Sequence, residues 1–168
     1  MNDVLETIQL RRTIRRFTSD PVDPDKVDAV LEAGRWAPSF SNLQPWKFVV
    51  VHGERLKNDL DEAAGESVLH LGMKEAPVLV VVCVDTTVDG EHGLEAGVAA
   101  TQNMALAACS HGLGAGWIGI WGTRAEKSIQ RLLQLPEKTR VVSLLPMGVP
   151  RESPEGERKP LQTFVEFR

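Results

Sequence analysis

Two periodicities of apolar residues organise the chain. Over Asp3–Leu10, Val4, Leu5 and Ile8 share one helical face, which predicts a short amphipathic helix. Thr18, Ser19, Asp20 and Pro21 mark a connector, and Asp23-Pro24 reads as an N-cap followed by proline at the first helical position. The helix so begun carries Val27, Val30 and Leu31 on one face. It is expected to end near Ala37-Pro38, because the residue before a proline resists the helical region. Trp46–Val51 (WKFVVV) predicts a strand, Glu54–Ala64 a helix, and Glu66–Glu75 favours neither. Pro77–Val84 (PVLVVVCV) is nearly all apolar and β-branched, the composition of a strand covered on both faces. After a loop at Asp85–Gly93, Leu94–His111 (LEAGVAATQNMALAACSH) is apolar almost all round, which predicts a buried central helix closed by Gly112. Trp117–Trp121 predicts a glycine-rimmed strand, Arg124–Leu133 an amphipathic helix and Arg140–Met147 (RVVSLLPM) another strand. Gly148–Pro160 reads as an extended charged tail, and Leu161–Phe167 ends the chain with β character.

Helices alternating with strands predict a central sheet with helices packed on its faces; periodicity does not fix the strand directions. Neither a repeat nor a dividing linker is present, so residues 1–168 are expected to form a single domain.

Composition narrows the classes. With 42% hydrophobic and 25% charged residues, the chain is ordinary for a folded domain, and a formal net charge of −4 argues against the broad basic face of a nucleic-acid binder. The longest apolar run, Ala76–Val84, is a strand length and too short to span a bilayer. MNDVLETIQL has no basic region followed by an apolar one, so the cytoplasm is the default compartment, with neither membrane nor nucleic acid as partner. Cys83 and Cys109 sit among apolar residues and are expected as buried free thiols. His52, His70, His92 and His111 lack ligand spacing, so no metal site is expected.

Against that acidic background Arg11–Arg16 reads RRTIRR, four arginines in six residues. Guanidinium forks match phosphate geometry bidentately, and Thr13 adds a hydroxyl donor, so the segment suits a phosphate monoester; a solvated basic turn paired with surface carboxylates is the alternative. Ala37–Trp46 (APSFSNLQPW) has no acid, base or thiol. Its stiff backbone, neutral hydrogen-bonding groups and flat apolar rings suit a polar heterocycle, or else an ordinary self-capped connection. Gly112–Gly122 (GLGAGWIGIWG) lets a ligand approach the backbone, or packs tightly beneath a helix; it is not a GKS/GKT phosphate loop or a GxGxxG turn. In Gly148–Pro160 (GVPRESPEGERKP), Arg158 and Lys159 are in reach of the same anion as Arg11, or belong to a flexible tail.

The order of RRTIR, APSFSNLQPW, GLGAGWIGI after a small-residue helix, and GVP followed by RKP resembles the FMN-dependent nitroreductase family from about Leu10 to Phe167. The resemblance implies an α+β, three-layer fold: a central mixed, mostly antiparallel sheet flanked by helices, with the C-terminal segment exchanged with a partner subunit. It implies that Arg11, Arg12 and Thr13 contact the FMN phosphate and ribityl chain, that Arg15 sits near the pyrimidine end of the ring, and that Arg158 with Lys159 completes the phosphate site. Pro38, Ser39 and Asn42 would come from the neighbouring subunit. Trp117, Ile118, Gly119 and Ile120 would line one flavin face, with a backbone N–H near Gly119 or Ile120 directed at flavin N5. No side chain is expected to act as catalytic acid or base. The implied activity is a homodimeric FMN-dependent oxidoreductase. NADH or NADPH would donate hydride through flavin N5, and a small electron-poor acceptor such as a nitroaromatic or quinone would receive it, in ping-pong fashion. Flavin fragmentation or dehalogenation on the same fold, and an FMN-binding module without turnover, are the alternatives. Two departures stand out. Asp85–Gly93 leaves no room for the helical insert many members carry, which implies a more open pocket. His70 and Lys74 lie where some members contact the flavin, without a firm correspondence.

Overall fold

The computed structural model describes residues 3–65 and 72–168. The undecided stretch Glu66–Glu75 therefore falls partly outside the described residues; its last part, Met73–Glu75, is a turn. The elements are α1 (Asp3–Leu10), α2 (Pro24–Arg35), β1 (Trp46–Val51), α3 (Glu54–Ala64), β2 (Val78–Asp85), α4 (Gly93–Ser110), β3 (Gly114–Ala115), β4 (Ile118–Gly119), α5 (Glu126–Leu132) and β5 (Thr139–Gly148). Local chemistry sets their ends. The Asp23 carboxylate accepts the Asp25 N–H at 3.0 Å at the start of α2, with Pro24 in the first turn. Gly112, at φ +73°, ends α4. Leu113 N–H then returns to Ala108 O at 2.8 Å and Gly112 N–H to Cys109 O at 3.1 Å, the paired bonds of a Schellman cap.

The sheet runs β1-β2-β5-β3, with β4 also on β5, and every strand pair is antiparallel. A single parallel bridge joins Thr13 to Ala115, so the sheet is mixed and mostly antiparallel. β2 reads as continuously apolar because both of its faces are covered. Val78, Val80, Val82 and Val84 enter the cluster with Val27, Val30, Ala100 and Met104 from α2 and α4. Leu79, Val81 and Cys83 enter the opposite cluster with Leu60 and Ile129 from α3 and α5. Each fully buried side chain of this size contributes about 1.5–3 kcal/mol. The helix layers thus form on either side of one two-faced strand. Burial also pushes the Cys83 thiol up to about 12, which keeps it protonated and inert. Cys109 is free and half-buried.

Two expectations change. The strand expected at Trp117–Trp121 starts earlier and is broken in two. β3 and β4 share one register along β5, and that register sets Gly116 opposite Pro146, which has no N–H to donate to the ladder. Leu161–Phe167 forms no strand; Leu161–Thr163 is a single tight helical turn and everything after it is exposed. A strand there needs an edge to pair with, and among the described residues the tail pairs with neither β1 nor any other strand of its own chain.

Candidate functional site

The arginine segment is laid along the sheet by two buried anchors. Ile14 (6% exposed) and Phe17 (2%) point inward, Ile14 N–H bonds Ala115 O at 3.0 Å, and Phe17 bridges Pro150. Gly114 makes the approach possible, since a Cβ there would lie 2.6 Å from Ile14 Cγ1. Arg15 and Arg16 are thereby left exposed, and Arg11 and Arg12 half-buried. The returning chain runs alongside: Thr18 N–H bonds Val149 O and Arg151 N–H bonds Arg16 O, each at 2.9 Å.

Carboxylates answer the backbone of this segment but not its charged side chains. Glu152 Oε1 accepts the N–H groups of Arg15 and Arg16, and Glu75 Oε2 accepts Phe17 N–H at 3.4 Å while pairing with Arg151. Among the described residues, no carboxylate pairs with the guanidiniums of Arg11, Arg12, Arg15 or Arg16. Arg12 Nη1 donates to the carbonyls of Gln9 and Arg11, while its buried Nε has no partner. Arg11 and Arg12 line a cleft of about 210 Å³ with Cys109, Gly112, Gly114 and Glu152, at the C-terminal end of α4. The tail crosses here: a Cβ on Gly156 would lie 2.5 Å from Arg12 Nε. Arg158 and Lys159 follow two and three residues later, both exposed, with Arg158 Nη1 on Glu157 O.

At the edge of β5 the structure divides the four residues expected to line a ring. Ile118 (2%) and Ile120 (0%) point into the core beside Leu144 and Ile129, so their side chains line no open face. Trp117 and Trp121 are half-buried against the cluster on the opposite face. Gly119 is exposed with open space where a side chain would stand. Ile120 N–H is committed to Val142 O at 2.9 Å, which removes it as a ring donor. By ladder alternation, Gly119 N–H points away from β5.

The turn after β4 is held by a carboxylate the sequence reading missed. Glu126 accepts Arg140 Nε and Nη2, Gly122 N–H at 2.8 Å and Val141 N–H at 3.3 Å. Burial pushes this carboxyl up, but the Arg140 fork and the two backbone N–H groups outweigh it and hold it below its ordinary value. The Arg140 guanidinium lies 4.1 Å over the Trp121 ring.

Pro38, Ser39 and Asn42 lie elsewhere, on a strained loop. Ser41, Asn42 and Gln44 have φ of +46°, +57° and +52°, a region non-glycine residues enter at a cost of about 1–3 kcal/mol, asparagine most readily. Ser39 Oγ accepts Gln44 N–H at 3.0 Å, Pro38 and Asn42 are exposed, and Phe40 meets the His92 ring at 4.6 Å. The loop therefore sits at the N-terminal end of α4. The 18-residue α4, about 27 Å long, separates it from the arginine cleft. Within one chain, no single ring system touches both. His70 lies outside the described residues, and Lys74 pairs with Asp61 at 3.2 Å. Glu75, Glu152 and Glu126 carry no periodic or motif signal; their partners are fixed only by the fold.

The family model described as "Nitroreductase family" matches residues 8–82 and 70–149. A Methanothermobacter thermautotrophicus protein with a provisional NADH dehydrogenase/NAD(P)H nitroreductase name is 34% identical over 90% of this chain and 80% of its own. A 5,6-dimethylbenzimidazole synthase from Rhodospirillum rubrum is 33% identical over 89% of this chain and 84% of its own. The NADPH:FMN oxidoreductase of Vibrio harveyi, solved in complex with NAD+, superposes with a TM-score of 0.86 at 30% identity, over 99% of this chain and 77% of that one. These matches agree with the two-layered helix packing and the antiparallel sheet, and the chain belongs to the nitroreductase family.

Proposed function

We propose that this protein is a homodimeric, FMN-dependent NAD(P)H oxidoreductase that reduces nitroaromatics, quinones or similar electron-poor acceptors. One observation carries the reading: among the described residues four guanidiniums have no carboxylate partner, and two of them, Arg11 and Arg12, the latter with an orphaned buried Nε, line a cleft at the end of α4. An unpartnered buried donor is costly, and a bound phosphate would satisfy it. The residues present therefore fit the phosphate end of FMN. Arg11, Arg12 and Thr13 would hold the phosphate and ribityl chain, and Arg158 with Lys159 would close over it from the tail.

When bound, FMN would supply the redox chemistry, hydride exchange between NADH or NADPH and the acceptor in ping-pong fashion. The chain supplies position and charge. Arg15, exposed and without a carboxylate on its side chain, would offset negative charge at the pyrimidine end. Gly119 admits a flat ring against the backbone, and its outward N–H is the remaining donor for a ring nitrogen, since Ile120 is committed to Val142.

The dimer reading follows from separation. An isologous contact that sets α4 antiparallel to its copy brings the Pro38–Asn42 loop of one chain to the arginine cleft of the other. Apolar residues left exposed agree with a covered surface: Leu5 and Leu10 on α1, Val98 on α4, and Leu161, Phe164 and Phe167 on the tail. β1 is an edge strand, and the partner's tail is a fit for its open side.

The test is Arg11→Ala. Losing two or three charge-assisted bonds costs about 3 kcal/mol, or roughly a hundredfold in FMN affinity, with the unfolding midpoint little changed. Equal cofactor retention by variant and wild type would overturn the phosphate assignment. The synthase relative supports a second reading, flavin fragmentation. Anaerobic bleaching by NAD(P)H with recolouring by a nitroaromatic supports the oxidoreductase; net consumption of the flavin supports fragmentation; bound flavin that does not bleach supports a binding module.

A further inference from the structure

A cavity larger than the arginine cleft lies elsewhere among the described residues. It is a groove of about 1060 Å³ along α5, with Gly122, Arg124, Lys127, Arg131, Glu137 and Arg140 on its lining. Its charge is one-sided. Glu126 is spent: two N–H groups of Arg140 and two backbone N–H groups saturate its carboxylate. Among the described residues Arg124, Lys127 and Arg131 have no carboxylate partner, and Glu137 is the only other acid on the lining. Arg131 is held in place by its own helix, with Nε on Lys127 O and Nη2 on Ser128 Oγ, both at 3.3 Å. Three cations without an ion-pair partner beside one free carboxylate, with Asp59 and Glu62 of α3 bordering only the far side of Arg131, make a local site for an anion on a chain of net charge −4. The volume is far larger than one phosphate requires and lies at the upper limit of small-molecule sites, about 1,000 Å³.

The groove also lies in the right place. Gly122, on its lining, follows Gly119 by three residues, so at most about 11 Å of chain separates that part of the groove from the open backbone proposed to face the flavin. A nicotinamide dinucleotide in extended form is longer than that. We propose that this groove holds the adenosine-diphosphate half of the nicotinamide dinucleotide, with Arg124, Lys127 and Arg131 on its phosphates. This inference rests on the NAD(P)H reading for its biological sense, but the groove is testable without it.

The experiment uses the intact protein and the double variant Lys127→Ala/Arg131→Ala, whose altered side chains are exposed; its unfolding midpoint is compared with wild type to confirm folding. The direct probe is ADP, titrated calorimetrically. Wild type is expected to bind it, with affinity that falls as salt rises, and the variant to bind roughly tenfold or more weakly. The kinetic probe is the ratio of KM for NADPH to KM for reduced nicotinamide mononucleotide, which lacks the adenosine half. That ratio is expected to rise roughly tenfold in the variant. Failure of wild type to bind ADP, equal ADP affinity in the two proteins, or an unchanged KM ratio would overturn the proposal. A protein that binds ADP in this groove yet takes up no flavin would sink the oxidoreductase reading and leave the groove standing.

Discussion

Replacing Glu126 by Gln removes one charge and keeps the shape. Glu126 is 4% exposed and accepts four donors: two from Arg140 and one each from the backbones of Gly122 and Val141. Removing one partner of a fully buried pair costs about 3–5 kcal/mol. Two features reduce that figure. The Arg140 side chain is 35% exposed, so water can take up part of its charge, and glutamine keeps one acceptor oxygen. The expected loss is about 1.5–2.5 kcal/mol at neutral pH, allowing for partial solvation of the remaining cation. Its pH dependence has a definite sign. The folded carboxyl lies below its ordinary value of 4.5, so its contribution is complete above that pH and is lost as pH falls through the lowered folded value. Urea unfolding of wild type and variant, at neutral pH and at a series of acid pH values, measures the gap directly. The gap should be widest at neutral pH and close on acidification. A gap under about 0.5 kcal/mol at neutral pH, the scatter expected of an ordinary surface change, would refute the reasoning, as would one that widens in acid.

Two further perturbations test the packing and the interface. Gly97→Ala on α4 would place a Cβ 2.5 Å from Val142 Cγ2 on β5, against a stiff β-branched side chain. The helix gains about 0.5–1 kcal/mol from alanine, overpacking costs about 1–3 kcal/mol, and the net expectation is a loss of about 1–2 kcal/mol in denaturant unfolding; a stabilised variant would show that α4 yields freely. Deleting Leu161–Arg168 removes the exposed Phe164 and Phe167 and should weaken both self-association, read by sedimentation, and flavin retention; unchanged dimer affinity would mean the tail is not an interface.

The fold was legible where a chemical signal is local. Asp23-Pro24 marked the start of α2, Gly112 the end of α4, and the unbroken apolar run of β2 the two covered faces. The edge of β5 was not legible, because the break between β3 and β4 is imposed by Pro146, thirty residues away in sequence from Gly116. The terminal residues have strand composition but no strand in the single chain, because β character needs an edge as well as a sequence. For the site, RRTIRR marked the cationic segment. The sequence did not show that Glu152 and Glu75 occupy its backbone N–H groups, nor that Ile118 and Ile120 turn inward while Gly119 stays open. Those facts are set by strand alternation and by contacts more than fifty residues apart. The loop at Pro38–Asn42 was legible as a polar, proline-stiffened connection, but its position at the far end of α4 from the arginines emerges only in three dimensions.

That separation makes the central claim directly measurable. Two variants, each deficient in flavin binding, are prepared: Arg11→Ala/Arg12→Ala, and a second with Pro38, Ser39 and Asn42 replaced by Ala. They are unfolded together, refolded with FMN and assayed for bound flavin by visible absorbance. If each site takes its arginines from one chain and its loop from the other, half of the refolded dimers are mixed. Each mixed dimer has one intact site, so bound flavin should recover to about one quarter of the wild-type amount. Recovery no greater than the sum of the two variants alone would contradict a site shared between two copies of the chain.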